Sequence, residues 1–238
     1  MKQFEQVIKV MEANGGYATL GFLNQNVNVS NWRTKTPYAS IRRIVQDERL
    51  FFKIRPGLWG LKQKKNSILD FLQIKDESNK SEIDKFNHSY YQGLLIEIGN
   101  LKGFYTYIPA QDKNKMFLEN KLGNIARTNE IFDFSYPNLI SRAKTIDVIW
   151  FNERKMPSYF FEVEHSTDIQ NSILKFFDLQ DFYSHFYIVS DMVRKKEFDV
   201  KIKFGAFKEI KDRIQFIDYN FVSNLHTKSF ELLAIGDL

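Results

Sequence analysis

Thr145-Ile-Asp-Val-Ile-Trp-Phe151, a six-residue turn, and then Ser158-Tyr-Phe-Phe-Glu-Val-Glu-His165 decide the reading of this chain. Both stretches are runs of β-branched and aromatic residues bounded by polar ones, the pattern of two buried strands joined as a hairpin. They also contain three carboxylates. Asp147 interrupts the first run, and Glu162 and Glu164, two apart, share one face of the second. An ionised carboxylate in a dry sheet costs several kcal/mol unless a cation or hydrogen-bond donor compensates. The spacing Asp-x14-Glu-x-Glu across a hairpin therefore calls for a divalent metal.

Working outward, a helix is expected from about Glu82 to Leu101, followed by a strand Phe104–Ile108. On the helical wheel Glu97 falls inside the stripe formed by Tyr90, Leu94, Ile98 and Leu101, so it is a candidate to face the metal; its alternative place is the wettest side of a helix that is apolar almost all round. After the hairpin, Ser166-Thr167 is expected to cap a helix with Ile169, Ile173, Phe176 and Phe177 as its core stripe. A strand at Phe186–Val189, a basic helical stretch from Arg194, a strand at Ile214–Ile217 and a helical tail over residues 221–234 complete the order. Alternating strands and helices predict an α/β sheet with helices on both faces. Residues 109–144 carry Lys113–Lys115 and Tyr136-Pro137, which fit either a DNA-facing insertion or a surface loop.

The first 65 residues read differently. Phe4, Val7, Ile8 and Met11 recur at helical spacing, and Asn14-Gly-Gly16 stops that helix. A second helix fits Thr19 to Asn26, and a third opens at Thr36-Pro37 and runs to about Glu48. Leu50–Ile54, the turn Arg55-Pro-Gly57 and Leu58–Leu61 read as a β-hairpin. Three helices and a hairpin are the order of a winged helix-turn-helix. The third helix turns Pro37, Tyr38, Ile41, Ile44 and Val45 inward and Arg42, Arg43 and Gln46 outward. Arginine and glutamine are the side chains that read guanine and adenine edges, and Lys35, Lys53 and Arg55 are placed for phosphates.

Charge agrees with that division. Residues 1–65 hold twelve Lys or Arg against four acids, a balance of +8 in a chain whose net charge is +5, so the remaining 173 residues carry −3. A basic N-terminal module suits a polyanion, and an acidic body suits a cation. The chain has no cysteine, which excludes disulfides, thiol catalysis and zinc ribbons and fits a reducing cytoplasm. No secretory leader and no apolar run of transmembrane length is evident. The expected division is a winged helix-turn-helix over 1–65, a polar linker over 66–82 with one small docking segment at Ile68–Leu72, and an α/β domain over 83–238.

Residues 82–220 resemble the PD-(D/E)XK nuclease superfamily, the core of many restriction endonucleases. The matching residues are Glu97, Asp147 and Glu162-Val-Glu164. The resemblance implies that Asp147, Glu162 and the Val163 carbonyl hold Mg²⁺, or Mn²⁺ in its place, and that double-stranded DNA is cut to 5′-phosphate and 3′-hydroxyl ends. The family's third motif residue is usually lysine; Glu164 stands here instead, either binding metal or taking a proton from the attacking water. His165 is expected to be a core or capping histidine. Residues 2–62 are similar to winged helices fused to restriction endonucleases, including the HARE-HTH type, through Gly15-Gly-Tyr17, Thr36-Pro37, Ile41-Arg-Arg-Ile44, Phe52 and Gly57-Leu-Trp-Gly-Leu61. Together they imply a cytoplasmic Mg²⁺-dependent restriction endonuclease, specific for sequence or base modification and possible as a homodimer. The missing lysine motivates the rival reading, a DNA-binding regulator with an inactive nuclease-like domain.

Overall fold

A computed structural model of the chain describes residues 1–74 and 79–235. The chain divides into two compact units, Ile83–Val222 and a second made of Met1–Glu82 with Ser223–Leu238.

In the N-terminal unit, helices α1 (Gln3–Ala13), α2 (Leu20–Asn26) and α3 (Pro37–Val45) enclose a core of Val7, Met11, Leu23, Ile41 and Val45, none of them measurably exposed. Strand β1 (Tyr17–Thr19) lies between α1 and α2, and β2 (Phe51–Arg55) and β3 (Leu58–Leu61) form the expected hairpin. The strands make a three-stranded antiparallel sheet in the order β1-β3-β2. The strand β1 is an addition to the expected hairpin: Tyr17, Ala18 and Thr19 follow two glycines in the left-handed region and pair with Gly60, Trp59 and Leu58. The Thr19 hydroxyl accepts from the Phe22 amide at 3.1 Å and caps α2. Thr36 does not cap α3 with its side chain; its own amide donates to the Thr34 hydroxyl, and Pro37 alone pre-sets the first turn. The helix also stops at Val45, short of Glu48, because Asp47 caps the following turn through the amide of Arg49. Helix α4 (Lys65–Phe71) then buries Ile68. Of the polar linker, residues 75–78 lie outside the described ones.

The second unit opens with α5 (Lys80–Leu101) and strand β4 (Tyr105–Tyr107). A hairpin of β5 (Met116–Phe117) and β6 (Asn120–Lys121), a short α6 (Leu122–Ile125) and α7 (Pro137–Ala143) follow. Then come β7 (Val148–Phe151), β8 (Pro157–Glu164), α8 (Ile169–Phe177), β9 (His185–Ser190), α9 (Lys195–Lys201), β10 (Ile214–Asp218) and α10 (Tyr219–Ile235). Strands β4, β7, β8, β9 and β10 form one mixed sheet in the order β10-β9-β8-β7-β4, parallel across β8, β9 and β10 and antiparallel across β8, β7 and β4.

The apolar runs explain the sheet. Strand β8 is central and covered on both faces, so its sequence is a near-continuous apolar run instead of an alternation. On one face Ile149, Phe151, Phe160, Phe186 and Ile188 pack with Ile169, Ile173 and Phe176 of α8, which joins the parallel strands β8 and β9. Phe160 and Phe186 are fully buried and stacked at 5.4 Å, each contributing roughly 1.5–3 kcal/mol through burial alone. On the other face the Trp150 indole donates to the Leu95 carbonyl of α5 at 3.1 Å and packs on Phe161 at 4.7 Å.

Two expectations differ from this architecture. Helix α8 is capped by Asp168, whose side chain accepts from the Gln170 amide, and not by Ser166-Thr167, because Thr167 turns back to Glu164. The tail, expected to belong wholly to the 83–238 body, is shared: from Ser223 onward it groups with the N-terminal unit. There Asn24 donates to Glu231 at 3.3 Å, and Gly57, at φ +74, leaves space where a Cβ would meet the Ser223 hydroxyl at 2.1 Å. Among the described residues no helix is long and apolar enough to cross a membrane.

Candidate metal and nucleic-acid site

Asp147 sits immediately before β7, one residue outside the strand expected to contain it. Strand pairing reaches Val148 opposite Phe161 and then stops. In place of the next ladder bond, the Asp147 carboxylate accepts the Val163 amide at 2.7 Å. Asp147 thus holds both strand ends of the β7–β8 hairpin at the point where they part, and it is 8% exposed.

Glu162 and Glu164 turn toward α8. The Ser172 hydroxyl bridges them, at 3.0 Å from Glu162 and in contact with Glu164. Lys175, one turn further on the same helix, places Nζ 2.8 and 3.0 Å from the two oxygens of Glu162 and 3.0 Å from the Thr145 carbonyl. Glu164 accepts from the Thr167 hydroxyl and lies 4.0 Å from the Arg194 guanidinium, which itself holds the Thr167 carbonyl at 2.6 Å.

The other side of Asp147 is supplied by α5. His88 and Gln92 are four residues apart and so lie on one face of the helix. His88 Nε2 is 3.5 Å from Asp147 and 3.4 Å from Asp112, while its Nδ1 is 3.1 Å from the Val163 carbonyl. The Gln92 amide donates to Asp112 at 2.7 Å and to the Asp147 carbonyl at 3.3 Å, and its own buried oxygen has no hydrogen-bond partner among the described residues. Lys115 closes the network 2.6 Å from Asp112. Ligand atoms of His88, Asp112 and Asp147 all lie within 4.8 Å of one another.

Burial pushes Glu162 up to about 8, with the charge of Asp147 adding to it and Lys175 opposing it. Burial likewise raises Glu164 against the bonds from Ser172 and Thr167. Burial works against protonation of His88, but Asp112 and Asp147 outweigh it and raise the imidazole to about 10. Burial also opposes ionisation of Asp112, yet the contacts with His88, Lys115 and Gln92 hold it down at about 2. Raised groups bind protons more tightly folded than unfolded, so their contribution is full below the unfolded pKa and fades as pH rises through the folded one. Glu162 and His88 therefore act with one sign: the metal-free protein is expected to lose thermal stability between about pH 5 and 9. Added Mg²⁺ is expected to raise Tm more at pH 9 than at pH 5.5. Scanning calorimetry at the two values checks this, and a Tm flat in both pH and metal would contradict it.

Of the residues singled out from sequence, Asp147, Glu162, Val163 and Glu164 fall at one end of the β7–β8 hairpin. The Val163 carbonyl, expected to be free for a metal, carries the His88 imidazole. Glu97 is not brought to this group: it lies about 7.5 Å of helix rise and about 140° around α5 from Gln92, which points at Asp147. His165 contacts the Tyr219 hydroxyl, which also donates to the Glu164 carbonyl at 2.9 Å. His88, Gln92, Asp112, Ser172 and Lys175 are functional candidates that the sequence pattern did not single out. In the N-terminal unit Lys35, Arg43, Gln46 and Lys53 are exposed and Arg42 is half-buried, while Arg55 donates to the Ile54 carbonyl at 2.7 Å. Gln46 is the C-terminal cap of α3, one residue beyond the helix expected to carry it.

Comparison with known proteins gives a match of residues 72–234 to the family model described as the type II restriction enzyme NmeDI C-terminal domain. The type II restriction enzyme NmeDI of Neisseria meningitidis serogroup C is 28% identical over 122 residues, 49% of this chain and 35% of that protein. The chain thus matches about a third of the relative's length. No solved structure matches.

Proposed function

Because the chain belongs to the NmeDI C-terminal-domain family of type II restriction enzymes, we propose that it is a restriction-type endonuclease hydrolysing phosphodiester bonds of double-stranded DNA. In this reading the Ile83–Val222 unit is a PD-(D/E)XK-type nuclease, and the N-terminal unit is a winged helix presenting Lys35, Arg42, Arg43, Gln46, Lys53 and Arg55 to the duplex in the cytoplasm. The observation that supports the reading is that Asp147, Glu162 and Val163 lie at one end of the β7–β8 hairpin, where the Asp147 carboxylate accepts the Val163 amide at 2.7 Å.

These donors fit a hard divalent cation. They are oxygens, two of them from β8 and the third from the residue that precedes β7, and among the described residues the buried oxygen of Gln92, whose amide reaches the Asp147 carbonyl, is unsatisfied. Burial, with the charge of Asp147 adding to it, presses Glu162 to hold a proton, and a cation bound beside it would relieve that pressure. Asp147, Glu162 and the Val163 carbonyl would hold Mg²⁺, and the same oxygen donors accept Mn²⁺ in its place. Bound there, the ion supplies charge neutralisation at the phosphate and lowers the pKa of water. The protein's own part is positioning. The Val163 amide fixes Asp147, Lys175 and Ser172 fix Glu162, and Glu164, whose affinity for a proton is raised by burial, would take the proton of the attacking water.

One observation favours a second reading, a DNA-binding regulator with an inactive domain: His88 and Lys175 already satisfy the Val163 carbonyl and Glu162. Titration calorimetry separates the two. The endonuclease reading expects Mn²⁺ or Mg²⁺ to bind the wild type and not Asp147→Ala, together with cleavage of plasmid DNA; no binding and no cleavage would leave the inactive platform.

A further inference from the structure

The segment between Pro109 and Lys121 is fastened to α5 at two points close to Asp147. Phe117, 3% exposed, lies over Gly93, where a Cβ would come within 2.0 Å of its ring, and stacks on Tyr90 at 5.9 Å. A side chain at position 93 would evict it. Asp112, 2% exposed, is held by Gln92 at 2.7 Å and by His88 at 3.4 Å, and His88 reaches Asp147 at 3.5 Å. The backbone closes the unit, with the Leu122 amide on the Lys115 carbonyl and the Gly123 amide on the Lys113 carbonyl, both at 2.9 Å. The hairpin is thereby set in fixed relation to the carboxylates.

Its outer side is basic. Lys115 and Lys121 are exposed and Lys113 is half-exposed, against the single outward acid Glu119. Each ammonium has three hydrogens. Lys115 gives one to Asp112 and keeps a side chain 45% exposed, Lys121 meets Asn114 at 3.3 Å, and Lys113 meets the Asn129 carbonyl. A phosphate brought to Asp147, Glu162 and Glu164 is repelled by them, and Lys115, linked to Asp147 through Asp112 and His88, heads a basic edge whose charge offsets that repulsion.

We propose that the hairpin over residues 113–121 is a nucleic-acid contact of its own, in which Lys113, Lys115 and Lys121 hold the sugar–phosphate backbone of duplex DNA at the carboxylate centre. This rests on the endonuclease reading and adds the surface that presents the strand to be cut. Lys115 is the central contact, since it joins the hairpin to Asp112, His88 and Asp147 through successive ion pairs.

The test is duplex binding by the whole chain, without divalent metal, followed by fluorescence anisotropy between 50 and 200 mM salt. Each phosphate contact contributes about −0.9 to the slope of log K against log salt. Lys115→Gln is expected to flatten the slope by about 1, and the Lys113→Gln, Lys115→Gln, Lys121→Gln triple variant by about 2 to 3, whereas Glu119→Gln leaves it no flatter. Acetylation footprinting of the wild type gives the same answer without any variant: duplex is expected to protect the three lysines. A wild type that binds duplex while the triple variant keeps its slope, or while the three lysines label equally with and without DNA, overturns the inference alone. A wild type that binds no duplex at any salt overturns the endonuclease reading with it.

Discussion

Cleavage by Asp147→Asn is expected to fall by about a thousandfold or more, while its metal-free affinity for duplex stays within about twofold of wild type. The asparagine oxygen can still accept the Val163 amide, the 2.7 Å bond that holds β7 to β8, so the strand ends keep their geometry. What it removes is the charge. Asp147→Ala is a blunter change, because it also leaves the buried Val163 amide without its acceptor at about 1–3 kcal/mol. Glu162→Gln should match Asp147→Asn in activity but gain stability at high pH, since it removes the carboxylate that burial pushes up to about 8. Single-turnover cleavage with anisotropy on the same preparations decides the matter. Cutting retained in both variants refutes the metal site, and lost binding in both places the effect in folding or DNA contact.

At pH 9, above the value of about 8 to which burial pushes Glu162, Lys175→Met is expected to lower the stability of the metal-free protein by about 3 kcal/mol, the low end for deleting one partner of a buried ion pair. The low end applies because the Lys175 side chain is 25% exposed while that of Glu162 is 2% exposed. With Lys175 gone, the Ser172 hydroxyl is the hydrogen-bond partner left to Glu162 among the described residues. For a chain of this size that loss corresponds to a Tm drop of roughly 6–12 °C. The Lys175→Met, Glu162→Gln double variant should recover most of it, since the stranded charge leaves with its partner. Mg²⁺ should also stabilise the single variant more than the wild type. An unchanged Tm would mean that the pair is solvated in solution and that the strain placed on Glu162 is absent.

The hairpin Asp147–Glu164 was readable because its chemistry is anomalous in its own strands: aromatic and β-branched neighbours demand burial, and carboxylates resist it. The helices of the N-terminal unit were readable from periodicity and from punctuation by Gly15, Gly16 and Pro37. Strand β1 was not, since three residues carry no period and its existence depends on pairing with β3. His88 and Gln92 sit among the apolar residues of α5 at a spacing that does mark one face, but nothing local says that this face meets Asp147. Glu97 drew attention by its charge while the helix phase that mattered was fixed by Trp150 donating to the Leu95 carbonyl. Asp112 closes a single 3-10 turn, Ala110–Asp112, too short to carry a period, so its role follows from tertiary contacts alone. Lys175 belongs to the polar flank of an amphipathic helix, a position that reads as solvated until Glu162 is placed beneath it.

The most direct measurement is sequencing of DNA ends after digestion of methylated and unmethylated genomic DNA by the wild-type chain with Mg²⁺. The account predicts ends with 5′-phosphates at a recurrent set of positions in at least one of the two substrates, and none with Asp147→Asn. Intact DNA in both, under conditions where the same preparation binds duplex, would contradict it.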